Sequence, residues 1–167
     1  MLPEDHSANR NTVALAGLRI AVGCLFLIFA QYKVLGSGFT RGGGFQWWIN
    51  RFLQEGGAYP FMIPVLQRVV LPHGTAIAFL VAYGELAIGL ALVLGIWVRA
   101  ASVFGFVYMI CLLFSSNYPG AHVPVWQYFG ASLDHSVLAL CFVAFFSSRS
   151  DEALSVRRRW GAHSVGG

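Results

Sequence analysis

The chain has 167 residues, of which 57% are hydrophobic and only 11% charged, with a mean hydropathy of +0.65. A soluble domain carries about 25% charged residues, so this composition argues against an ordinary soluble enzyme and for a membrane protein of one domain. The net charge of +4 sits beside the apolar runs, where it reads as topology charge and not as a nucleic-acid footprint.

The opening segment, residues 1–11, is polar, carries both signs of charge and lacks the small-residue cleavage site of a signal peptide, so it is expected to be a short cytoplasmic lead. Asn11 or Thr12 then caps a first span over residues 12–35, interrupted by Arg19 and closed by Lys33. Gly17, Ala21 and Gly23 offer places where a second helix can come close. Arg19 has two readings: it snorkels to the nearer surface, or it turns inward to a carboxylate.

Residues 36–73 form a long connection. Gly42, Gly43 and Gly44 break the helix, and Phe45, Trp48, Ile49 and Phe52 then fall on one stripe of a short amphipathic helix. Trp47 and Trp48 with Arg41 and Arg51 suit the headgroup level. The segment after Pro60 and Pro64 is too short to span and is expected to be re-entrant or interfacial.

The second span covers residues 75–98, long enough at about 1.5 Å per residue to cross a layer of roughly 30 Å. Ala87, Ala91 and Gly95 recur every fourth position as a close-packing seam. Glu85 lies at the middle of the run, where a carboxyl costs a few kcal/mol unless it is neutral or partnered, so it is expected to face protein. A sharp turn carrying Arg99 leads to a third span over residues 100–116, antiparallel to the second. A fourth span covers residues 132–148, and residues 149–167 form a tail with Arg157, Arg158 and Arg159 in a row. With both termini cytoplasmic, seven basic residues fall inside (Arg10, Arg19, Arg99, Arg149, Arg157, Arg158, Arg159) against four outside (Lys33, Arg41, Arg51, Arg68). The fold expected is therefore all-α: a four-transmembrane-helix bundle with an amphipathic or re-entrant helical connection between spans one and two.

Two sets of residues carry chemistry. Glu85 and Arg19 are the ionisable residues well inside the expected spans, and their depths differ by about 9 Å on a helical rise. They are expected to interact as a buried polar pair, either as a clasp that fixes helix register or as a proton-carrying site. The loop before the fourth span holds no Lys or Arg but does hold His122, Trp126 and Tyr128, followed by Asp134 and His135. With His73 and Tyr118 these form an outer rim that binds a quinone head or small anion, or else anchors the interface and caps a helix. Cys24, Cys111 and Cys141 each stand alone in a different apolar run, as buried filler. No metal-ligand spacing, haem-attachment motif, Walker loop or GxSxG is present, so no metal or haem is indicated.

Arg19, Gly23, Phe26 and Lys33 in the first span, the Phe- and Gly-rich connection, and the stretch GELxIGLxLxLGxxxR from Gly84 to Arg99 resemble the DoxX/DoxD-like family of small four-helix membrane proteins. Matching positions are Arg19, Lys33, Glu85, Gly89, Gly95 and Arg99. The resemblance implies a membrane component of a quinone-linked redox or respiratory system, with relatives in thiosulfate:quinone oxidation, in the bacterial cytoplasmic membrane beside other membrane subunits. The rival expectation is a non-catalytic accessory subunit packing against a larger complex. A transporter is a third, weakened by the lack of repeats or paired broken helices. A closed polar pocket around Glu85 favours the first; a flat aromatic surface favours the second.

Overall fold

The computed structural model describes residues 4–129, 134–148, 150–151 and 153–156, and all regular structure among them is helical. Helix α1 runs Glu4–Leu35, beginning well before the expected cap at Asn11 or Thr12. No glycine or proline falls between Glu4 and Ala16, so nothing in the sequence stops the helix there. Two short helices follow, α2 (Ser37–Thr40) and α3 (Gly44–Gln54), then α4 (Ile63–Val65), which continues as a π-helical turn over Leu66–Val70. Helices α5 (Gly74–Leu94), α6 (Val98–Ser116) and α7 (Asp134–Ser147) complete the chain, with a 3₁₀ turn at Val125–Phe129 before α7.

Three stretches are long and apolar enough to cross a membrane: Arg10–Leu35, Gly74–Leu94 and Val98–Ser116. Helix α7 is apolar but has 14 residues, where a crossing needs about 20. Arg149 and the basic run Arg157 to Arg159 lie outside the described residues, as does the expected start of the fourth span.

Helix α1 packs antiparallel along α5, and α6 along α7. The first seam is tight because it is made of glycine. A Cβ on Gly23 would stand 2.9 Å from Leu92 Cβ and 3.0 Å from the Gly89 carbonyl oxygen, and one on Gly89 would stand 2.8 Å from Leu27. The packed face of α5 is Ala78, Ala82, Glu85, Ile88, Gly89 and Leu92. Of the expected seam, Gly95 is buried and Ala91 packs against the core, but Ala87 is exposed, and the other small residues that meet α1 and the connection lie on the stripe that contains Glu85. The turn into α6 is Gly95 to Trp97, both ends left-handed, while Arg99 already belongs to α6. Cys24 and Cys111 are exposed and Cys141 half-buried, so the cysteines face outward instead of filling the core. Cys24 and Cys111 lie on helices long and apolar enough to cross a membrane, where a thiol behaves as a small apolar group on the outer face as it does in a core.

Two apolar clusters divide the bundle. One joins α1, α5, α6 and α7 through Val22, Phe26, Leu92, Met109, Phe142 and Phe145; the other joins α2, α3, the π-helical turn and α5 through Phe39, Phe45, Ile49, Leu66, Ala78 and Ala82. The stripe expected on α3 is present, with Phe45 and Ile49 buried and Trp48 at its edge. Gly43 before α3 and Gly56 after it take positive φ, 80° and 70°, so the chain turns sharply at both ends of this helix.

The α6–α7 seam gives a direct check on this packing. Gly105 lies against the Phe142 ring with no room for a Cβ, whereas Gly17 has no neighbour within 4 Å of a Cβ position. Gly105→Ala is expected to lose about 1–3 kcal/mol through overpacking and Gly17→Ala to lose nothing, measured by unfolding in detergent.

Candidate functional site

The close α1–α5 approach at Gly23 and Gly89 carries the end of α1 to the middle of α5, and there Lys33 meets Glu85. Both are buried, at 8% and 5% exposure. Lys33 Nζ donates to Glu85 Oε1 at 2.5 Å and to Oε2 at 2.6 Å, and the Tyr108 hydroxyl of α6 donates to Oε1 at 2.5 Å. The ammonium also stands 5.2 Å from the Phe39 ring centre and 5.6 Å from that of Tyr32, and an aromatic face attracts a cation. Three charge-assisted bonds on one carboxylate offset much of what it costs to take both charges out of water.

Arg19 is not the partner of Glu85. It is fully buried, but at the far end of the α1–α5 seam, where its Nη2 donates to the carbonyl oxygens of Ala153 at 3.3 Å and Leu154 at 3.0 Å. Its Nη1 packs against Gly95, where a side chain would have no room. The snorkelling reading fails for the same reason: the guanidinium turns inward, where backbone carbonyls accept its hydrogen bonds and Glu85 is out of reach.

A cavity of about 250 Å³ lies beside the ion pair. Phe26, Phe29, Phe39, Phe45, Trp48 and Met109 give it apolar and aromatic walls, and Lys33, Glu85, Tyr108, Tyr32 and His135 bring polar atoms to it. Four of its lining residues are also exposed on the outside of the bundle: Leu25, Phe29 and Tyr32 on α1, and Trp48 on α3. The mouth therefore opens sideways between α1 and α3, on the surface that a bilayer covers.

Of the rim residues, only His135 reaches this cavity. Its Nδ1 lies 2.9 Å from Asn117 Oδ1 and 3.2 Å from Asp134 Oδ1, and Asp134 also accepts the His135 backbone N–H at 2.8 Å. Asp134 thus sits at the start of α7, where a carboxylate favours the helix dipole. His122 and Trp126 are exposed and line no part of the cavity. His73 is bonded to the Val69 carbonyl oxygen at 2.9 Å. Tyr128 belongs to an aromatic knot in which the Tyr59 hydroxyl donates to the Tyr128 carbonyl, and Tyr59 and Tyr118 pack at 5.0 Å between ring centres. Burial, then the neighbouring Tyr128 and Tyr118, push the Tyr59 phenol up, so it keeps the proton that it donates. With the Tyr118 N–H on the Gly57 carbonyl at 2.7 Å, this knot ties the connection to the end of α6.

Lys33 and Tyr108 are the site residues that the pattern of charges left unassigned. Lys33 reads as a span-closing cation by position, and only its place among the matching family positions singles it out. Tyr108 carries one signal, a hydroxyl deep in an apolar run, which needs a partner when buried.

The arrangement defines a class: a multi-pass helical membrane protein with an ion pair buried beside a laterally open cavity. More particularly, the chain belongs to the DoxX family, whose model matches residues 14–117, a stretch that contains Arg19, Lys33, Glu85 and Tyr108. No curated protein and no solved structure gives a significant match.

Breaking a buried pair from one side strands a charge and costs about 3–5 kcal/mol, while replacing both members by apolar residues of similar size is often neutral. Lys33→Met or Glu85→Leu alone is expected to destabilise the protein on that scale, and the double variant to recover most of the loss. Thermal unfolding of the four proteins as a double-mutant cycle checks this.

Proposed function

We propose that this protein binds a quinone in the cavity beside Lys33, Glu85 and Tyr108, as the membrane component of a quinone-linked redox system. One observation carries the reading: a cavity with aromatic walls has its polar groups gathered at the buried ion pair and its mouth on the lipid-facing side. Such a site suits a planar, lipid-soluble ligand with a polar head. The head lies against the polar cluster, and the isoprenoid or alkyl tail leaves between α1 and α3 into the bilayer. Lys33 keeps one N–H beyond the two it gives to Glu85, and that proton is available to a quinone oxygen. Glu85 provides the group that can hold or release a proton when the quinone changes redox state.

In this reading α7 is the fourth span, residues 36–73 form the outer connection with α4 and the π-helical turn at the interface or re-entrant, and both termini face the cytoplasm of a bacterial cell, as the seven-to-four division of basic residues favours. Electrons are supplied by a partner subunit; a thiosulfate-oxidising partner is the one that the family resemblance favours.

The test is purification of the tagged chain from its native membrane in mild detergent, with extraction of quinone and identification of co-purifying chains. Stoichiometric quinone in the parent protein, reduced at least tenfold in the folded Lys33→Met/Glu85→Leu double variant and in Tyr108→Phe, is the expected result. A fixed set of larger membrane partners without quinone, unchanged by these substitutions, makes the chain an accessory subunit instead.

A further inference from the structure

The cavity meets ionisable groups at two depths. Lys33, Glu85 and Tyr108 cluster at one, with Tyr32 beside them, and His135 stands at the other. His135 is held by Asn117, which directly follows α6 and lies nine residues after Tyr108, so the two levels are separated by about 13 Å at a helical rise of 1.5 Å per residue.

The neighbours of His135 favour one tautomer. Its Nδ1 faces Asn117 Oδ1 and the Asp134 carboxylate oxygen, and a carboxylate can only accept. That favours the proton on Nδ1 and leaves the lone pair on Nε2. The His135 side chain is 21% exposed and its neighbour Asp134 is 53% exposed. His135 therefore reaches both the outer surface of the protein and the cavity.

Toward the other end of the bundle the surroundings are different. Beyond Glu85 lie Ile88, Leu92, Phe142 and Phe145, with Leu92, Phe142 and Phe145 fully buried. The next buried ionisable side chain in that direction among the described residues is Arg19, packed on Gly95, ten residues or about 15 Å further along α5. A dry apolar plug thus closes one end, and His135 stands at the other.

We propose that His135 is the proton-exchange group of this site, and that the Lys33–Glu85–Tyr108 cluster communicates with the medium only at the α7 N-terminal end. The proposal rests on the quinone reading for its purpose and not for its geometry. In the step itself the medium gives a proton to His135 Nε2, and the imidazolium passes one through water in the cavity to Glu85 or to a reduced quinone oxygen. Only N–H and O–H bonds form and break. The titratable groups that face the cavity with His135 are Tyr32 and Lys33 of α1, Glu85 of α5 and Tyr108 of α6, with Asp134 beside it on α7; α3 contributes only Phe45, Trp48, Ile49 and Phe52.

Two measurements on the full chain test this. In the first, a bound short-chain benzoquinone is reduced in stopped flow by reduced methyl viologen, which gives up its electron without releasing a proton, and uptake of the two protons that complete the hydroquinone is followed with a pH indicator. His135→Gln is expected to slow proton uptake at least tenfold without loss of bound quinone, and added imidazole to restore it, an effect that a merely structural role of His135 would not show. Retained quinone with unchanged proton uptake overturns the proposal. The second needs no ligand. Leu112→Cys lines the cavity between Tyr108 and Asn117; with Cys24, Cys111 and Cys141 replaced by Ala and the protein in sealed vesicles of known orientation, a membrane-impermeant thiol reagent is applied from each side. Labelling from the α7 N-terminal side alone supports one-sided access, and labelling from the opposite side, or from neither, overturns it. If no quinone is retained, the quinone reading falls and the thiol experiment decides the access route by itself.

Discussion

The contact between Lys33 and Glu85 is the constraint around which the bundle is arranged. A carboxylate in mid-span and an ammonium near the end of another span can coexist in a low-dielectric interior only if they meet, and they meet only if α1 and α5 run antiparallel in one register. Gly23 and Gly89 make that register reachable by letting the backbones approach to the limit of contact. Tyr108 then brings α6 to the same carboxylate, so one side chain ties three helices together. Polar bonds of this kind fix which packing is chosen among many that are equally apolar, because lipid tails favour none of them over another.

The same contact explains the shape of the site. Helix α1 stops at Leu35, two residues after Lys33, while α5 extends further toward its own N-terminus. The space beyond the end of α1 is filled by α2 and α3, whose short helices cover the gap with Phe39, Phe45, Trp48 and Ile49 and leave a cavity between them and the ion pair. At the opposite end, Arg19 and the segment 153–154 perform a different task. The guanidinium caps backbone carbonyls of the returning chain and packs into the turn at Gly95. The two buried cations of α1 therefore have separate work, one at the cavity and one at the seal.

Much of the fold was legible because it rests on bulk patterning. Apolar length located the three crossing helices, the mid-span position of Glu85 required a protein-facing carboxyl, and the stripe from Phe45 to Phe52 placed α3. What stayed hidden depends on register between helices, which a single sequence does not encode locally. Ala87 and Ala78 are equally small, and only contact with α2, α3 and the π-helical turn decides which one is buried. The sequence pairs Arg19 with Glu85 because both lie inside the expected spans while Lys33 closes one, but the register of α1 against α5 brings Lys33 and not Arg19 to the carboxylate. His135 was legible as a polar residue at a helix start, but its separation from His122 and Trp126 follows from the path of a loop that no periodicity constrains.

Isotope-edited infrared spectroscopy of the glutamate carboxyls, with Glu85→Gln to assign the Glu85 signal, tests the central interaction most directly. An ionised Glu85 held by Lys33 and Tyr108 gives a carboxylate band at neutral pH, present in the parent protein and absent from the variant. A protonated carboxylic acid C=O band that disappears in Glu85→Gln would contradict the ion pair and, with it, the arrangement of α1, α5 and α6 built around it.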